Sequence, residues 1–139
     1  MAENISLPFS DTAIIYTAGT VVVENGSGAV IPSYARLLPA PYVIASGEVR
    51  DFIYSEQEGE ETAVAGVEVA TSGRVLVNVG NKEGFSIGDT LCSADKGQAS
   101  RMTPEEMKLY PTAILGTIVQ IPDKINNVTN KDCVWVKLF

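Results

Sequence analysis

The sequence predicts an all-β fold, a small antiparallel β-barrel or sandwich with one short helix inserted near residues 103–110. Three observations carry that reading. Short runs of β-branched and aromatic residues, bounded by Gly, Asn, Ser and Pro, recur along the chain. Residues Arg74–Val79 alternate strictly with period two. Helix-start chemistry stands out at a single place, Thr103-Pro-Glu-Glu106. With 139 residues, 45% of them apolar, the chain is long enough to bury a self-sufficient core.

Taken in order, residues 1–11 surround Pro8 without periodicity and are expected to be an N-terminal arm that orders against a partner or a neighbouring subunit. Residues 12–139 are expected to form a single β-barrel-like domain. Thr12–Thr17, Thr20–Glu24 and Ala29–Ile31 read as strands, the last two joined by the turn Asn25-Gly-Ser-Gly28. Pro39 and Pro41 exclude a central ladder and indicate an edge or a crossing loop. Tyr42–Ala45 and Glu48–Tyr54 resume the strand pattern. The strongest hairpin signal joins Thr62–Val69 to Arg74–Val79 through Ala70-Thr-Ser-Gly73, with Val75, Val77 and Val79 on one face of the second arm. A further hairpin covers Ser86–Ala99, and strands over Ala113–Val119 and Val134–Leu138 end the chain. In the helix, Thr103 at the N-cap, Pro104 at N1 and Glu106 at N3 make a capping box, and Pro111 stops it after about two turns.

A shift of 69 residues places Gly19 on Gly88, Gly28 on Gly97, Gly47 on Gly116, Val67 on Val136 and Leu7 on Leu76. Five identities over that span are what chance supplies, so the alignment leaves a duplication open.

Little in the chain is suited to catalysis. A net charge of −7 repels phosphate backbones and anionic lipid, which argues against nucleic acid and membrane surfaces as partners. Histidine is absent, which removes Ser-His-Asp and Cys-His triads and the common zinc sets. Cys92 and Cys133 lie in apolar strands and read as small buried hydrophobes in a reducing compartment, with a disulfide between them open. The acidic run Glu56–Glu61 lacks the ligand alternation of a calcium loop and reads as solvated. Asp89 and Asp95 are the obvious carboxylate pair, but Gly88-Asp89 and Ala94-Asp-Lys-Gly97 are turn sequences. Trp135 reads as core or subunit interface. No nucleotide-binding glycine motif occurs. The first residues lack the features of a signal peptide, and no apolar run approaches the length of a bilayer span. The sequons at Asn4, Asn25 and Asn127 are therefore read as chance matches. The expectation is a protein without catalytic residues, cofactor or metal, whose faces do the work.

The order of motifs over residues 60–139 resembles the small β-barrel decoration, or cement, proteins of tailed-bacteriophage capsids. It is carried by Gly73-Arg-Val-Leu-Val-Asn-Val79, Ile87-Gly-Asp-Thr-Leu-Cys-Ser-Ala-Asp-Lys-Gly-Gln-Ala99, Ile114-Leu-Gly-Thr-Ile-Val119 and Cys133-Val-Trp-Val-Lys-Leu138. The same order is also similar to β-domains of phage tails, fibres and appendages. The resemblance implies a virion structural protein, a homotrimer on the capsid exterior that contacts the major capsid protein and is assembled in the host bacterial cytoplasm.

Overall fold

The computed structural model describes residues 3–9, 16–54, 62–122 and 132–139, with backbone alone over 48–54 and 62–64. The acidic run at 56–61, most of the expected strand at 12–17, and Asn127 lie outside the described residues. The strands are β1 (Glu3–Pro8), β2 (Val21–Glu24), β3 (Val30–Pro32), β4 (Tyr42–Tyr54), β5 (Thr62–Ser72), β6 (Arg74–Asn78), β7 (Thr90–Ser93), β8 (Ala99–Arg101), β9 (Gly116–Gln120) and β10 (Cys133–Leu138). One short helix, α1 (Pro104–Leu109), lies between β8 and β9, where the capping signals place it. The fold is all-β, as expected: two antiparallel sheets of five strands, in the orders β1-β5-β4-β2-β3 and β6-β10-β9-β7-β8.

Two expectations fail. The signal read as the strongest hairpin, 62–69 with 74–79, is not one: β5 pairs with β1 and β4, whereas β6 pairs with β10. Only Gly73 separates the two strands, fewer residues than a tight hairpin loop requires, and its φ of 88° turns the chain from one sheet into the other. The N-terminal segment is also not an arm awaiting a partner. Ile5, Ser6, Leu7 and Pro8 pair with Val69, Glu68, Val67 and Gly66, and Leu7 packs on the core beneath.

The two sheets are versions of one unit. Numbered within its own half, each follows the strand order 1-5-4-2-3. The pairing of β2 with β3 (Val22↔Pro32, Val23↔Ile31, Glu24↔Val30) recurs 69 residues on as Leu91↔Arg101, Cys92↔Ser100 and Ser93↔Ala99. Backbone hydrogen bonds outside the ladders recur at the same displacement. Thr20 N to Thr17 O (3.1 Å) matches Asp89 N to Ser86 O (3.1 Å), and Ser33 N to Val21 O (2.9 Å) matches Met102 N to Thr90 O (2.8 Å). Gly19 and Gly88 share a φ of 94° and 96°. The fourth strand is displaced further, Val21↔Val43 answering to Thr90↔Thr117, because the connection before it lengthens from residues 33–41 to residues 102–115, which contain α1. Even a bulge is repeated: Ala45 is skipped between Ile44↔Val69 and Ser46↔Glu68, as Val119 is between Ile118↔Val136 and Gln120↔Trp135. The registers keep Gly19 with Gly88 and Gly28 with Gly97 as equivalents. They place Val67 with Val134, Leu7 with Val77 and Gly116 with Tyr42, so the other three identities of the 69-residue shift are coincidental.

Each unit has its own core. In the first, Tyr16, Val22, Val30, Ile44, Val67 and Val69 cluster, and a bridge between Phe9 and Val30 brings the two edges of the sheet together. In the second, the equivalent Leu91, Ala99, Ile118, Val134 and Val136 cluster with Val77 and Val79. The second core also contains Val21 and Val43 of the first unit, both fully buried. At about 1.5–3 kcal/mol for each buried side chain of this kind, those two valines bind the halves into one body.

Candidate functional site

The segment that carries the family resemblance folds as expected into the β7–β8 hairpin. Its tip is the 3₁₀ turn Asp95–Gly97, where Lys96 and Gly97 adopt positive φ. Asp89 Oδ2 accepts a 2.8 Å hydrogen bond from Ser86 N and lies 3.8 Å from Arg101 Nη1. Asp95 is exposed, and its carbonyl accepts from Gln98 N at 3.2 Å. The four residues of β7 separate the two carboxylates by roughly 13 Å of chain, beyond the spacing of a carboxylate acid–base pair. Both serve as turn residues.

The densest polar constellation among the described residues is one that the sequence does not announce. Residues 33–41, read as an edge or a loop crossing, strap the first unit to the second. Arg36 makes a bidentate pair with Glu106 (Nη1 to Oε2 2.8 Å, Nη2 to Oε1 3.0 Å), donates from Nε to Ser100 Oγ at 3.0 Å and from Nη2 to Arg101 O at 2.8 Å. Glu106 also completes the α1 capping box, accepting from Thr103 N at 2.9 Å while its own N–H donates to Thr103 Oγ1 at 3.1 Å. The Arg36 guanidinium, then the Thr103 amide, hold the Glu106 carboxyl down at about 2, and Arg36 is raised in turn. Two fully buried serines continue the strap: Ser33 Oγ donates to Ala94 O at 2.6 Å, and Ser93 Oγ donates to Ala35 O at 2.8 Å. Arg36 and Glu106 lie far apart in sequence, so no local pattern reveals the pair. This is structural chemistry: Arg36, Ser33 and Ser93 hold the halves together, and Glu106 also caps its own helix.

Beside the strap a groove of about 190 Å³ runs between the units, lined by Pro41, Tyr42, Thr71, Ile114, Leu138 and Phe139 among others. Tyr42 is its acidic group. Burial first, then the hydrogen bond from its hydroxyl to Glu24 Oε1 (3.0 Å), pushes the phenol above its ordinary value, which suits it to packing rather than proton transfer at neutral pH. Phe139 is 87% exposed at the rim, and Tyr34, Leu109 and Tyr110 are exposed elsewhere on the surface.

Cys92 is fully buried in a small cluster with Met102 and Ala113, whereas Cys133 is half-buried; both are free thiols. Burial, and secondarily Asp132, raise the Cys133 thiol, with Lys82 acting in the opposite sense. Lys82 is itself buried, donating from Nζ to Pro122 O at 3.0 Å. Trp135 is not core within this chain. It is half-buried on the face of β10 opposite Val134 and Val136, with the Arg74 guanidinium 5.1 Å above its ring. Among the described residues no cluster of three or more His, Cys, Asp or Glu could hold a metal ion. No helix among them is long and apolar enough to cross a membrane. Comparison with protein-family models, with curated proteins and with solved structures finds no match for the chain.

Proposed function

We propose that this protein is a virion structural component, a capsid decoration protein that binds the outer surface of the major capsid protein shell as an oligomer and stabilises it. The observation that carries the proposal is the use made of the polar residues in the motif that resembles such proteins. The Asp89 carboxylate is consumed in turn geometry, Gly88, Asp95 and Gly97 occupy turn positions, and Arg36 and Glu106 join the two units. What is left for function is surface: exposed Tyr34, Leu109, Tyr110 and Phe139 on a pair of β-units that share core contacts, with an acidic net charge. A homotrimer, as in the proteins it resembles, would let weak single contacts with the shell add through multivalency.

The mechanism is linkage. A protein that binds the assembled shell and not its dissociated subunits stabilises the shell by RT ln(1 + [L]/Kd), about 2.7 kcal/mol at a hundredfold excess over Kd. The test is to add purified protein to shells stripped of it and follow rebinding and the shell's melting temperature. Saturable rebinding with a rise in melting temperature supports the reading, and absence of binding to the cognate shell refutes it. Copy number in intact particles decides location: hundreds per particle place the protein on the shell, a few tens or fewer on a tail or fibre.

A further inference from the structure

Asn25, Asn78 and Asn81 close the same local ring, in which the side-chain Oδ1 accepts from the backbone N–H two residues on. The donors are Ser27 N at 3.1 Å, Gly80 N at 2.8 Å and Glu83 N at 3.0 Å. Each ring runs from the amide carbon Cγ through the backbone nitrogen of the next residue, so that carbon and that nitrogen are held on one short stretch of chain. What occupies the nitrogen differs. Val79 is buried and its N–H donates to Asp132 O at 2.8 Å, and Lys82 is buried with its side chain tied to Pro122 O. Gly26 is exposed, no described residue accepts from its N–H, and nothing lies within 4 Å of where a Cβ would stand. Asn25 is also the only asparagine of the chain that a glycine follows.

A second feature sets Asn25 apart. Its Oδ1 takes a further hydrogen bond, from Ser27 Oγ at 2.7 Å. Two donors on one amide oxygen polarise the carbonyl and meet the charge that develops there when the carbon is attacked, as an oxyanion hole does. A polarised amide carbon and an unencumbered nitrogen therefore share one exposed turn, and the ring supplies their proximity.

We infer that Asn25 is a self-modification site, at which the folded β2–β3 turn converts the asparagine to an aspartyl or isoaspartyl residue. The Gly26 nitrogen loses its proton to water and bonds to Asn25 Cγ; the Cγ–Nδ2 bond breaks and ammonia leaves with a proton returned from water, leaving a five-membered succinimide. Water then opens the ring. Cleavage between the nitrogen and Cγ gives aspartate, cleavage between the nitrogen and the Asn25 carbonyl carbon gives isoaspartate, and no atom is oxidised or reduced. Either product adds a negative charge to a net charge of −7. The bond from Asn25 N to Ala29 O (2.9 Å) and the Glu24↔Val30 pair lie on the strand side of the altered linkage, so the hairpin ladder is kept. This inference does not depend on the proposed virion role.

The test holds the folded full-length protein at about pH 8 and 37 °C and follows acidic species by ion exchange, with peptide mass spectrometry to locate the change. Asn25→Asp marks the product, and a sample unfolded in guanidinium is the reference. Conversion at Asn25 is expected to outrun that at every other asparagine and to be faster folded than unfolded. Ser27→Ala, checked for an unchanged melting temperature, keeps the backbone N–H and removes the hydroxyl. It is expected to slow conversion about fivefold, the worth of one hydrogen bond to the developing oxyanion. No preference for Asn25, a rate no higher folded than unfolded, or a Ser27→Ala rate equal to wild type would each overturn the inference.

Discussion

Exchanging the residues at one position of the repeat, Val21→Thr in one variant and Thr90→Val in another, tests how the two units are joined. Val21 is fully buried among second-unit residues, whereas its equivalent Thr90 is half-buried. Valine and threonine have the same shape, so each change swaps one methyl group for one hydroxyl. Burying a hydroxyl without a partner costs roughly 1–3 kcal/mol by protein measurements. With an unfolding entropy of about 2.1 cal/mol/K per residue, a loss of ~2 kcal/mol in a chain of this length lowers Tm by about 7 °C. Thr90→Val touches no sealed surface and is expected to move Tm by about 2 °C or less. The assay is thermal unfolding followed by circular dichroism, with urea unfolding to confirm an unchanged slope, which assigns the effect to native packing. Equal losses in the two variants would refute the claim that this face is sealed in one unit and open in the other.

Glu106, held at about 2 by Arg36 and the Thr103 amide, contributes stability that is complete above about pH 4.5 and lost as the pH falls through that window towards 2. Comparing Tm for wild type and Glu106→Gln from pH 6 to pH 2 should therefore show a gap that closes on acidification, and a gap independent of pH would contradict the pairing. Gly97 has a φ of 69°, and a methyl group there would meet Thr20 Cγ2 at 2.6 Å across the unit boundary, whereas Gly26, with a φ of 93°, has open space around it. Gly26→Ala should cost about 1–2 kcal/mol from backbone strain alone, and Gly97→Ala measurably more; equal losses in urea unfolding would show that the boundary yields to the methyl.

The local elements were legible because their causes are local. The α1 capping box needs only Thr103, Pro104 and Glu106; the β2–β3 and β7–β8 turns need only their Gly and Asn or Asp residues; and the alternation of Val75, Val77 and Val79 states which face of β6 is buried. Asp89 and Asp95 were legible as turn residues for the same reason. Pairing between distant strands was not, because period two reports a buried face and is silent about the neighbouring strand. That is why the segments on either side of Gly73 read as one hairpin although they enter different sheets.

The duplication shows the same division more sharply. By itself the sequence determined an all-β chain, its helix, its turns and a shift of 69 residues supported by a few identities. Cores tolerate exchange among apolar residues while the total volume is kept, so Val22 with Val30 and the larger Leu91 with the smaller Ala99 can fill equivalent sites without any identity to align. Only the tertiary structure, through strand order, register, a repeated bulge and matching turn hydrogen bonds, decided that the halves are one unit used twice. It alone also decided that Arg36 meets Glu106 and that Val21 belongs to its neighbour's core, since both depend on how one unit packs on the other.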